Sequence, residues 1–78
     1  MKTIIVYGPG CAKCSQAMDL IRRTIEATGV SADLRKVSDL REMVTAGIMS
    51  TPTVVVDGVV KITGRAPNPD EVKEWLAE

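Results

Sequence analysis

Apolar and polar positions follow two different periods along this chain. Thr3 to Tyr7 is a continuous β-branched and apolar run, which predicts a strand covered on both faces. Gly8-Pro9-Gly10 breaks it. From Cys11 to Thr28 the period becomes helical, with Cys14, Met18, Ile21 and Ile25 recurring at intervals of four, three and four. Ala17, Leu20 and Thr24 widen that stripe. Asp19 with Arg23, and Arg22 with Glu26, form i,i+4 pairs on the outer face. Gly29 stands where a left-handed cap ends such a helix.

The second half is built from shorter segments. Ser31 to Val37 has a mixed pattern that predicts an edge strand. Ser38 is placed to cap a second helix with Leu40, Met43 and Val44 on its inner face, and Gly47 to end it. Pro52 opens a second fully covered strand, Thr53 to Val56. Asp57-Gly58 is the strongest hairpin signal in the chain and leads into Val59 to Thr63, where Lys61 suits an edge strand. Asn68 as N-cap, Pro69 at the first position and Asp70-Glu71 in the first turn start a last helix, with Val72, Trp75 and Leu76 as its apolar face. The predicted order is β-α-β-α-β-β-α. It implies an α/β fold: a parallel, right-handed first crossover, an antiparallel final hairpin, and a mixed four-stranded sheet with helices on both faces. No repeat or linker divides residues 1–78, which read as a single domain.

Composition narrows the possible functions. Hydrophobic residues make up 45% and charged residues 26%, ordinary values for a globular chain. With one Tyr, one Trp and no Phe, the core must be aliphatic, and base stacking has little to work with. Formal net charge is zero and no basic stripe is visible, which argues against a nucleic-acid partner. No apolar run approaches the roughly 20 residues of a membrane span. The opening apolar run is shorter than a signal-peptide core and no cleavage site follows it. The expectation is a cytoplasmic monomer with neither a nucleic-acid nor a membrane partner.

The chemistry concentrates in Cys11-Ala12-Lys13-Cys14. A disulfide between these two cysteines would close too short a loop to remove much unfolded-state entropy, so the pair is better explained by reactivity than by stability. The motif begins a helix directly after a strand. Unpaired N–H groups and the helix dipole stabilise a thiolate there, and the thiolate is the nucleophile of disulfide exchange. Residues three apart in a helix have Cβ atoms roughly 5–6 Å apart. A disulfide needs about 4 Å, so a small adjustment closes the bridge. Gly8, Pro9 and Gly10 keep bulk away from Cys11, which reads as the attacking thiol. Cys14 lies one turn in on the apolar stripe and reads as the shielded, resolving thiol. Lys13 between them would favour the thiolate further, or is simply a solvated lysine. Two buried cysteines acting as small hydrophobes is the bland alternative; it suits Cys14 alone but not Cys11 at a helix start. The strand-to-helix setting makes the motif a strong sign of redox chemistry.

With these residues in view, the chain resembles the thioredoxin superfamily in its short, glutaredoxin-sized form. More closely, it is similar to the small thioredoxin/glutaredoxin-like family called redox-active disulfide protein 2. The resemblance rests on Tyr7 to Cys14, Ala46-Gly47-Ile48, Thr51 to Gly58, and Lys61 to Arg65, and spans essentially the whole chain. It implies a thiol–disulfide oxidoreductase that reduces protein disulfides, needs no bound cofactor, and draws electrons from a flavoprotein disulfide reductase resembling thioredoxin reductase. It also implies that Pro52 is cis, beside the cysteines, with the Thr51 backbone turned outward to pair with an extended substrate segment. The chain departs from thioredoxins in three places. It has Gly10 rather than Trp before the first cysteine, Ala12-Lys13 rather than Gly-Pro between the pair, and no acid within Thr3 to Tyr7. Gly64-Arg65 matches only loosely the site by which glutaredoxins hold glutathione.

Tyr7 either packs near the redox pair or is a half-buried strand-end aromatic. Trp75 reads as core, and Arg65 as a solvated loop charge. The competing function is soft-metal handling, with Cu(I) held by the same two thiolates. A third is a binding module whose disulfide only gates partner docking.

Overall fold

The structure, a computed structural model, describes residues 1–10 and 12–78; Cys11 lies outside the described residues. Seven elements follow in chain order: β1 (Lys2–Tyr7), α1 (Ala12–Thr28), β2 (Ala32–Val37), α2 (Leu40–Thr45), β3 (Thr53–Val56), β4 (Val59–Thr63) and α3 (Pro69–Ala77). The sheet order is β2-β1-β3-β4. β1 and β2 run parallel, whereas β3 is antiparallel to both β1 and β4. This is the mixed four-stranded α/β arrangement expected of a thioredoxin-like chain.

Strand alternation places the core on one side of the sheet. Ile4, Val6, Val54, Val56 and Ile62 pack with Ala17 and Ile21 of α1 and with Val72, Trp75 and Leu76 of α3. The buried stripe of α1 is Cys14, Ala17, Ile21 and Thr24, with Met18, Leu20 and Ile25 at its margin. Thr24 is buried because its hydroxyl donates to the Leu20 carbonyl at 2.8 Å, which satisfies it within the helix.

The opposite face is only partly covered. β3 is buried on both sides, but Thr3, Ile5 and Tyr7 of β1 are half-buried, so the expectation of two covered faces fails for that strand. The cause is α2, which has only six residues and adjoins the sheet near Tyr7 and Val37. Its inner side is also narrower than the pattern implied. Met43 is buried, whereas Leu40 and Val44 are 72% and 70% exposed. Asp39, not Ser38, caps this helix, accepting a hydrogen bond from the Arg41 N–H at 2.8 Å. At its end Gly47 takes a positive φ and donates to the Val44 carbonyl, while Ile48 donates to Met43, so two orphan carbonyls find partners.

Turns and caps fix the remaining connections. Asp57 and Gly58 both take positive φ, as the tight hairpin requires. The Asp57 carboxylate also accepts from the Thr3 N–H at 2.9 Å and lies 3.7 Å from Lys2, tying the hairpin to β1. β4 is an edge strand with a register shift opposite Val54 and Val55, and its Lys61 Nζ donates to the Glu78 carboxylate at 2.7 Å. Arg22 pairs with Asp19 at 3.3 Å rather than with Glu26. Arg65 is an exposed charge, as expected, but a paired one: its guanidinium grips Glu71 with two bonds of 2.9 Å. Glu71 closes a capping box with Asn68 at the start of α3.

Two stability outcomes follow from these contacts. Ile21 is fully buried, so Ile21→Ala should cost about 2–5 kcal/mol in urea unfolding. The Arg65 guanidinium and the Asn68 N–H hold the Glu71 carboxyl well below its ordinary range, at about 2. Because the folded value is the lower one, this contribution is complete above the ordinary carboxylate pKa and is lost as pH falls toward the folded value. Glu71→Gln should lower stability at neutral pH and flatten the acid-side decline. A decline as steep as in the parent chain would contradict this account.

Candidate active site

The site forms where β1 hands over to α1. β1 ends at Tyr7, and the next N–H, that of Gly8, donates to the Val37 carbonyl at 2.9 Å. Gly8 is buried, and the reason is steric. A Cβ built on it would overlap the Cys14 sulfur and reach within 3.9 Å of the Thr51 Cβ. The missing side chain of Gly8 is the space that the Cys14 sulfur occupies. Three segments therefore meet at one point: the end of β1, the first turns of α1, and the loop before β3.

Cys14 is fully buried at this junction. No acidic side chain stands in the first turn of α1, so nothing there offsets the positive end of the helix. Lys13 is exposed beside it. A second cation, which the sequence reading passed over, lies close by: the Lys36 ammonium is 3.6 Å from where a Cβ on Gly10 would sit. The parallel pairing of Val6 with Lys36 brings it there, and that register is not readable from local pattern. Among the described residues, no group of three or more His, Cys, Asp or Glu gathers into a metal site.

The loop before β3 carries the other predicted residues. The Thr51–Pro52 peptide bond is cis. Pro52 is buried and Thr51 half-buried. The loop is held by the Gly64 N–H, which donates to the Pro52 carbonyl at 2.9 Å, and by the Thr53 hydroxyl, which donates to the Ser50 carbonyl at 2.6 Å. Among the described residues, none of the bonds that hold it uses the backbone groups of Thr51. Tyr7 is not brought to Cys14. It projects from the other face of the sheet, into a groove of about 400 Å³ against Val37, Arg41 and Thr45.

This junction of a strand end, a helix-start cysteine and a cis-proline loop can be compared with known proteins. A family model described as the thioredoxin domain matches residues 2–77. A thioredoxin of Methanothermobacter thermautotrophicus is 32% identical over 77 residues, covering 99% of this chain and all of that protein. A thioredoxin of Methanocaldococcus jannaschii is 34% identical over 76 residues, covering 97% of this chain and 87% of its own length. The chain belongs to the thioredoxin family. It is a thioredoxin-like redox protein, and the relatives' names carry with them a thiol–disulfide oxidoreductase role.

Within this thioredoxin-like site the residue that sequence reasoning undervalued is Gly8. The sequence marks it as a strand breaker, which any Gly-Pro-Gly segment would be. That it makes room for a sulfur depends on a contact with α1 that no local pattern records. Gly8→Ala should cost about 1–3 kcal/mol through overpacking against Cys14 and Thr51. Chemical denaturation checks this; an unchanged midpoint would mean that the sulfur does not fill that space.

Proposed function

We propose that this chain reduces protein disulfides by dithiol exchange through Cys11 and Cys14. The Cys11 thiolate attacks one sulfur of a substrate disulfide. The substrate S–S bond breaks, a mixed disulfide forms, and the departing sulfur takes up a proton. Cys14 then gives up its proton and attacks the Cys11 sulfur. This releases the second substrate thiolate and leaves a Cys11–Cys14 disulfide. Two electrons have passed from the chain to the substrate. A disulfide reductase, of the flavoprotein class that serves thioredoxins, returns them, and no bound cofactor takes part. The setting is the reducing cytoplasm, where such a pair is kept reduced.

The observation that carries this reading is the placement of Cys14. It is wholly buried in the first turns of α1, against Gly8 and beside the Thr51–Pro52 loop. A sulfur so shielded is suited to resolving a mixed disulfide and poorly suited to attacking an external one. The first encounter then falls to Cys11. Thr51 has its backbone groups available for an extended substrate segment, and Pro52 fixes the turn that offers them. Lys13 and Lys36 add positive charge that favours thiolate over thiol.

The assignment predicts an asymmetric pair of variants. Cys11→Ser should abolish insulin reduction with dithiothreitol as electron source. Cys14→Ser should retain the first step and accumulate a mixed disulfide with substrate, visible as an added mass on nonreducing gels. Full turnover by Cys11→Ser would sink the proposal.

A further inference from the structure

Thr53 is a polar side chain in an otherwise apolar strand, and it is 1% exposed. Its hydroxyl makes two hydrogen bonds. One runs to the Ser50 carbonyl at 2.6 Å, and the other joins the Thr63 hydroxyl at 2.9 Å. Each hydroxyl has one hydrogen to donate. The Ser50 carbonyl can only accept, so the Thr53 hydrogen is committed to it. Thr63 must then donate to Thr53. The result is a directed chain from Thr63 through Thr53 to the Ser50 carbonyl, and such chains polarise and strengthen their members.

The geometry makes this chain a brace. Thr53 and Thr63 face each other in register across β3 and β4. One residue beyond Thr63, the Gly64 N–H donates to the Pro52 carbonyl at 2.9 Å. The end of β4 thus grips the loop on both sides of Thr51, at Ser50 through the hydroxyls and at Pro52 through the backbone. The hydroxyl pair also lines a groove of about 290 Å³ with Ile48, Met49 and Val60. Ser50 and Met49 are exposed, and the loop has little apolar packing of its own ahead of Pro52. Valine in place of Thr53 would match the neighbouring Val54, Val55 and Val56 and fill nearly the same volume. Core packing alone therefore gives no reason for a hydroxyl there.

We infer that Thr53 and Thr63 are positioning residues that hold the Thr51 backbone in the orientation a protein substrate must meet. The inference rests on the dithiol-exchange reading above and concerns how that site engages its substrate. The bonds of the two hydroxyls run to each other and to the Ser50 carbonyl. Their loss should therefore affect the docking of an extended chain and leave the thiol chemistry intact.

The test uses insulin as the protein disulfide and hydroxyethyl disulfide as a small one, which has no backbone to pair with Thr51. For Thr53→Val, KM for insulin should rise about threefold to tenfold with kcat within about twofold, the size expected for one hydrogen bond. The rate with hydroxyethyl disulfide should stay within about twofold. Thr63→Val, which leaves the bond to Ser50, should show a smaller rise in the same direction. Thr53→Ser, which keeps the hydroxyl, should restore the parent KM. Amide exchange at Ser50 and Thr51 should quicken in Thr53→Val, a readout independent of activity. Unaltered KM in both valine variants would overturn the inference, as would equal losses on both substrates. If Thr53→Val does not fold, Thr63→Val, altered at an exposed edge position, decides alone. A parent chain that cannot reduce insulin would instead overturn the dithiol reading, and this inference with it.

Discussion

Much of this structure depends on one close approach, the seating of the Cys14 sulfur against the backbone of Gly8. The sulfur lies where any other residue would carry a Cβ. That contact sets how near α1 can come to the end of β1. It also places the Thr51 loop, whose Cβ approaches the same point. A protein interior is packed too densely for three segments to share a point unless one gives up its side chain. Gly8 is the one that does, and its conformation is otherwise unremarkable, with no positive φ. Its glycine is explained by space and not by backbone strain.

The rest of the fold serves to bring those segments together and hold them. A chain of 78 residues has a small core, and here it lies on one side of the sheet between the strands and the α1–α3 pair. The other side has only the short α2, so the β1 residues on that face stay half open. Stability is supplemented at the element ends, by the capping box of α3, the Asp57 tie to β1 and the paired glycine cap after α2. Each gives partners to backbone groups that an element end would otherwise leave without them, which matters in a domain whose total stability is small.

Electrostatics at the site follow from the same geometry. The start of α1 carries no acidic side chain to cancel its dipole, and two lysines from different elements lie near the motif. Most other cations of the described chain are tied down, by Asp19, Asp33, Asp57, Glu71 and Glu78. Lys13 and Lys36 are left to act on whatever charge develops nearby. β1 contains no acidic residue, so it contributes no carboxylate to this balance of charge.

The element order, the hairpin, the caps at Asn68 and Gly29 and the dithiol motif could be read from the sequence, because each rests on local chemistry or on a period of two or 3.6 residues. The face assignments were less secure. Leu40, Met43 and Val44 form one apolar stripe, yet the helix buries Met43 of the three and turns Leu40 and Val44 outward; six residues give too short a stripe to fix the rotation. Arg65 is the exposed loop charge that the sequence indicates, but its pairing with Glu71 is not legible there, because that partner lies beyond a turn. The tertiary structure alone decided that Gly8 makes room for Cys14, that Lys36 comes beside Gly10, and that the hydroxyls of Thr53 and Thr63 meet. These contacts join different elements and are set by register and packing, which the periodicity of any one segment does not encode.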